Sequence, residues 1–141
     1  MADVTGVQQA KKWIYDKLSA NVDIAAAVGT NIFTSTPNPR PTRYILYNFM
    51  GGSDIKAVGK NREATSALFQ VRQVNQGTPD ATARLVDKRL DDILQLTADD
   101  LSGDFYFSAD RESPVDRPEY DAANVLYSNV GGLYRVWIRK A

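Results

Sequence analysis

The side chains that could do chemistry in this chain are carboxylates, arginines, tyrosines and serines, because cysteine and histidine are both absent. That absence removes disulfides, thiolate and imidazole metal sites, thiol nucleophiles and every histidine-based relay. The acids between Asp99 and Asp121 offer the oxygen ligands that hard cations take, yet none follows an ion-loop spacing, and a solvated acidic stretch accounts for them. Gly51-Gly52-Ser53 has the glycine content of a phosphate cradle, but no lysine-serine pair opens a helix behind it, so it reads as a turn. Serines and lysines stand outside any nucleophile motif. The reading therefore assigns no catalytic residue, no metal ligand and no cofactor-binding residue, and the expectation is that the chain is not an enzyme.

Two other groups are suited to binding rather than to reaction. Tyr134, Arg135, Trp137 and Arg139 interleave aromatic and basic side chains, as a nucleic-acid stacking platform does; a tryptophan packed on a helix with arginines at the strand rim is the more ordinary account. The segment from Asp110 to Tyr120 and Asp121 alternates charge and is stiffened by Pro114 and Pro118. It joins two strand-like stretches, and a connection of that length is uncommon unless it is functional or disordered. We read it as a projecting hairpin, about 108–124, in which Arg111, Glu112, Asp116, Arg117, Glu119 and Tyr120 dock on an adjacent protein, with tyrosine and arginine as energetic anchors. Deleting residues 112–119 should then spare folding and abolish assembly. Lys56, Lys60 and Arg62, in a basic loop or flap around Gly59, are the other candidates for a subunit or partner interface.

The elements that must position these groups follow from periodicity. At 141 residues the chain is one domain, 1–141, able to bury about two thirds of its unfolded surface. Val7, Ala10, Ile14 and Leu18 predict an N-terminal helix over about 7–18, with Trp13 and Tyr15 flanking its stripe. A short helix over 22–28 has Asn21 as N-cap and Gly29 as stop. Alternate prolines at 37, 39 and 41 force an extended arm, followed by an apolar strand from Tyr44 to Met50 that Gly51-Gly52-Ser53-Asp54 should end. In the next strand Ala67, Phe69 and Val71 oppose Ser66, Gln70 and Arg72. Thr78 as N-cap, Pro79 and Asp80 open a long helix with Ala83, Val86, Leu90, Ile93 and Leu94 as its stripe, running to about Leu96. Phe105 and Phe107 then oppose Tyr106, and a last strand to Arg139 sets Tyr134, Val136 and Ile138 against Leu133, Arg135, Trp137 and Arg139, with Gly131-Gly132 allowing a bend. The expected fold class is α+β: an antiparallel β-sheet with the long helix packed on one face and an additional N-terminal helix.

Charge adds one feature. The chain is formally neutral, with 17 basic and 17 acidic residues, which does not suggest a free-standing nucleic-acid binder. Residues 79–121 hold twelve acids against five bases, net −7, so the remainder carries +7. Kept on different faces, these would favour head-to-tail contacts between copies; mixed, they make an ordinary solvated surface. No window approaches a membrane span and the N-terminus lacks an apolar signal core, which points to the cytoplasm or to a particle built there and to no membrane partner.

The order of the first third resembles a known family. A helix, then Asp23-Ile24-Ala25-Ala26-Ala27-Val28-Gly29, Asn31-Ile32-Phe33, prolines, and Arg43-Tyr44-Ile45-Leu46-Tyr47 is similar to the opening of the tail completion or tail terminator proteins of long-tailed bacteriophages, and the order of elements carries the resemblance on to the C-terminus. The resemblance implies a structural virion protein at the head-tail junction, assembled in the bacterial host cytoplasm. It implies a homohexameric ring that caps the tail tube, ends its polymerisation and joins tail to head. The partners implied are the chain itself, the tail-tube protein, a head-completion or stopper protein, and genome DNA passing through the lumen without sequence recognition; no cofactor is implied. A head-completion stopper or neck adaptor of the same particle remains an alternative. A small α+β ligand-binding or enzyme domain, with Tyr44, Tyr47, Tyr106 or Tyr134 as polar handles in a pocket, is a more remote one.

Overall fold

The computed structural model describes residues 6–56, 62–95 and 100–140. Its elements are α1 (Gly6–Ala20), α2 (Val22–Val28), β1 (Ile32–Phe33), β2 (Arg43–Lys56), β3 (Arg62–Gln76), α3 (Ala81–Leu94), β4 (Asp100–Ser102), β5 (Phe105–Tyr120) and β6 (Leu126–Lys140). The strands form one sheet in the order β1-β2-β3-β6-β5-β4. Every neighbouring pair is antiparallel except β1 and β2, so the sheet is mixed rather than purely antiparallel as expected. The cause is the arm at 34–42. Its prolines forbid a tight hairpin, and the connection instead brings the chain back so that β2 runs beside β1 in the same direction.

One face of the sheet carries all three helices. Ala10, Trp13, Ile14 and Leu18 of α1, Ile24 and Val28 of α2, and Val86, Leu90 and Leu94 of α3 form one buried cluster with Ile45, Tyr47, Ala67, Phe69, Val71, Phe107, Ala109, Tyr134, Val136 and Ile138. The strand residues recur at every second position, as a half-covered sheet requires, and each fully buried large side chain contributes about 1.5–3 kcal/mol. Trp13 belongs to this stripe rather than to its margin: it is 2% exposed, stacks on Phe107 at 5.2 Å, and donates its Nε1–H to Asp100 at 2.8 Å. The caps are local. Asn21 accepts from the Ile24 amide, and Gly29 ends α2 at φ 60°. Asp80, not Thr78, is the N-cap of α3, accepting from the Ala83 amide at 2.8 Å.

The opposite face bears no helix among the described residues. Tyr44, Leu46, Val74 and Tyr127 make a smaller apolar cluster there, with Phe33 and Val125 against it. Further along the same face lie Gln70, Arg72, Asn129, Arg135 and Trp137.

Two stretches differ from expectation. Residues 51–54 do not end β2. A bulge at Met50 and a positive φ of 131° at Gly51 bend the strand, and Gly52 passes so close to the Ser66 carbonyl that a Cβ has no room. The strand then runs on to Lys56. More consequentially, residues 108–120 are not a projecting loop. They are β5, paired with β6 from Phe105 opposite Lys140 to Tyr120 opposite Leu126, and interrupted only by a bulge at Glu112. The turn itself is confined to the few residues after Tyr120, where Asp121 accepts the amides of Ala123 and Val125. Removing 112–119 would therefore take away the outer partner of the first half of β6, so that deletion no longer separates folding from assembly.

Candidate assembly surfaces

Long edge strands expose rows of backbone donors and acceptors, and the two long edges of this sheet are treated differently. β1 covers β2 only at Ile45 and Leu46, and no strand among the described residues lies beside positions 47–54. Phe49 and Met50 are exposed there. The outer edge of β5 is guarded along its length. β4 pairs with residues 105–107. The Gln95 side chain, at the C-cap of α3, then accepts the Arg111 amide at 2.8 Å and donates to Asp110 at 2.6 Å. Beyond the bulge come Pro114 and Pro118. A proline cannot exchange bonds with β6, so both direct their missing N–H outward, where a further strand would need it.

The residues proposed for an interface divide accordingly. Arg111 turns inward against α3, ion-paired with Asp87, 3.8 Å from Asp91, and lying over the Tyr134 ring. Glu112 grips Arg135 through both oxygens, at 2.8 and 3.4 Å. Glu119 accepts from Arg40 at 2.9 Å and from Asn129 at 3.3 Å. Asp116, Arg117 and Tyr120 remain at the surface, and Tyr120 is 61% exposed. Lys56 and Arg62 stand opposite one another where β2 and β3 end, and Lys60 lies outside the described residues. That end of β3 pairs with the Arg139 end of β6, whereas Tyr120 sits beside Leu126 at the other end. The two groups thus occupy opposite poles of strands some 40 Å long, at about 3.3 Å per residue.

The two charge groups of the sequence are interleaved in space. Lys17 pairs with Asp100 at 2.8 Å, Asp23 with Arg89 at 2.6 Å, Arg40 with Glu119, Arg43 with Asp80, and Arg135 with Glu112. The Arg43 contact and the helix-cap amide draw the Asp80 carboxyl below its usual range, Arg43 contributing most; Lys17 and then Trp13 do the same for Asp100.

A family model described as tail completion protein gp17 matches residues 12–130. The chain belongs to that family. It is accordingly a structural protein related to phage tails. The four tyrosines of the remote pocket alternative part company: Tyr47 and Tyr134 lie on the helix-covered face, Tyr44 and Tyr106 on the other. In fold, the tail completion protein is similar to a chain in a solved structure described as the virion of a native gene transfer agent particle. The two share 18% identity and a TM-score of 0.70 over 97% of this chain and 99% of that one. No curated protein matches the chain to a significant degree.

Sequence reasoning missed what the bare face holds. Arg40, from the proline arm, lies 3.8 Å over the Tyr127 ring, donates to the Tyr44 hydroxyl at 2.8 Å and reaches Glu119, so the arm is tied across to β5. Arg72 is only 8% exposed. Its Nε donates to Asn129 at 2.7 Å and its Nη1 to Asn48 at 3.1 Å and to Gln70. Burial, and next the charge of Arg117, pull its pKa down from the ordinary arginine value. The alternation from Ala67 to Arg72 had set Arg72 opposite Val71; that it would be buried on an uncovered face has no signature in a single strand's pattern.

Proposed function

We propose that this tail completion protein forms a closed ring, of six copies by analogy with the family, that caps the tail tube, ends its polymerisation and joins the tail to the head, with genome DNA passing through the lumen unread. The observation that carries this reading is the match to tail completion proteins over residues 12–130, which spans most of the domain. The two unlike edges support it. A surface whose one side offers an open strand and whose other side refuses one is suited to heterologous contacts, and such contacts form rings when their rotation closes. The opposite poles of the long strands give the two axial surfaces that tube and head require, with Lys56 and Arg62 at one and Tyr120 at the other. Binding is then strong only through several contacts at once, one per subunit.

The test is native mass over a wide concentration range, alone and with purified tail tubes, with particles imaged in the same samples. A hexameric ring with an open centre, seated at one end of the tube, is the expected result. A protein that binds filled heads and ignores tubes would instead make it a head-completion stopper.

A further inference from the structure

The bare face contains a cation without a counter-ion. Arg72 is held by Asn129, Asn48 and Gln70, three neutral amides, and its Nη2 has no partner among the described residues. Gly131, paired opposite Arg72, leaves space that any Cβ would fill, since that atom would collide with the Arg72 backbone and the Val71 carbonyl. Arg117 stands opposite Asn129 on the same face, exposed and without an ion pair among the described residues. The nearby acid, Glu119, is engaged by Arg40 and Asn129. An immobilised guanidinium beside a second arginine is a preorganised receptor for a carboxylate, which two parallel N–H groups can bind at once. Burying a cation without an anion is unfavourable for the isolated chain, so the arrangement fits a counter-charge that arrives from outside.

We propose that Arg72 and Arg117 receive an acidic side chain from the adjacent copy in the ring, an inference that rests on the ring reading above. A side-chain carboxylate is slender enough to reach a guanidinium that is nine-tenths buried; the backbone of duplex DNA is not. The donor is available within the chain. Asp104 and Asp116, at the β4–β5 side, are exposed with no ion pair among the described residues. The open-edged face of one copy and the guarded β5 side of the next would then meet through side chains rather than through a shared sheet.

Four proteins test this: wild type, Arg72→Met, Arg117→Ser and the double variant Asp104→Asn with Asp116→Asn, each measured by thermal melting and by ring formation alone and on tail tubes. Arg72→Met strands the Asn129 and Gln70 side-chain oxygens, so it is expected to melt slightly below the wild-type temperature, to remain folded, and to lose ring formation at least tenfold in concentration. Arg117→Ser and the double acid variant should melt normally and show the same kind of loss. A wild-type ring that folded Arg72→Met or Arg117→Ser forms equally well would overturn the inference alone. Normal rings from the double acid variant would exclude the adjacent copy as donor and overturn it too. Wild-type protein that never forms a ring would remove the ring reading and this inference together.

Discussion

Two arginines on opposite faces of one sheet, each facing a glycine of β6, show how differently the two faces are finished. Arg111 on the helix-covered face occupies the space left by Gly132 and meets two carboxylates, Asp87 and Asp91, supplied by α3. Arg72 on the bare face starts where Gly131 lets the two strands approach closely, and its guanidinium hydrogen-bonds only to amides. The first cation is neutralised within the fold and the second is not. On the helix-covered face the counter-charge comes from α3 of the same chain, whereas on the bare face the proposal above has it come from a neighbour.

The glycines give the sharpest way to break that comparison. At Gly131 an added methyl meets backbone atoms of Val71 and Arg72, which cannot yield; at Gly132 it meets the far end of the Arg111 side chain, which can. Gly131→Ala should cost about 3 kcal/mol, the upper range of overpacking, and Gly132→Ala distinctly less. Chemical denaturation of both variants checks the order, and equal losses would mean that the sheet yields at both positions. Next in size is Arg111→Met, which strands Asp87 and Asp91 beside α3. Since all three side chains are partly shielded, a loss of about 1–3 kcal/mol is expected, the range for hydrogen bonds to charged groups. Arg72→Met, the matched change on the other face, strands neutral amides rather than carboxylates and should cost less, about 1 kcal/mol.

These contrasts also mark what could be read in advance. The stripe of α3, the caps of α2 and the inward sets Ala67, Phe69, Val71 and Tyr134, Val136, Ile138 were legible because one covered face imposes strict periodicity. β5 was not. Its prolines and alternating charges suit a loop, and a protected edge strand uses the same residues to refuse further pairing. Of the interface candidates on that segment, Arg111, Glu112 and Glu119 make ion pairs within the chain, whereas Asp116, Arg117 and Tyr120 are exposed. Arg72 eluded the reading because its burial depends on Gly131 sixty residues away and on amides from three strands.

A smaller effect separates the faces by pH. Tyr134 is buried beside Arg111, and its hydroxyl makes no well-formed hydrogen bond. Burial raises its pKa well above the ordinary value, and the Arg111 charge offsets only part of that. A raised folded-state pKa means that this contribution is fully present below about pH 10, the unfolded tyrosine value, and is lost as pH rises from there. Tyr134→Phe should leave neutral-pH stability within about 1 kcal/mol, since no hydrogen bond is given up, and should flatten the alkaline fall in melting temperature. An alkaline limb unchanged in the variant would place its origin elsewhere.

The smallest expected effect on folding, and the one that bears most directly on assembly, is at Tyr120. Its ring is 61% exposed at the last pair of β5, opposite Leu126, so little apolar burial is lost on truncation. Tyr120→Ala should change stability by no more than about 0.5 kcal/mol, as exposed substitutions do. An exposed tyrosine at the end of a guarded strand is nonetheless the kind of side chain that anchors an interface, and truncation of such an anchor commonly costs more than about 1 kcal/mol of binding. Repeated around a ring, a loss of that size per subunit multiplies, so capping of tail tubes should fail at concentrations where melting curves are indistinguishable from wild type. Normal capping by Tyr120→Ala would remove this pole of the strands from the contact surface and leave the Arg72 face to carry it.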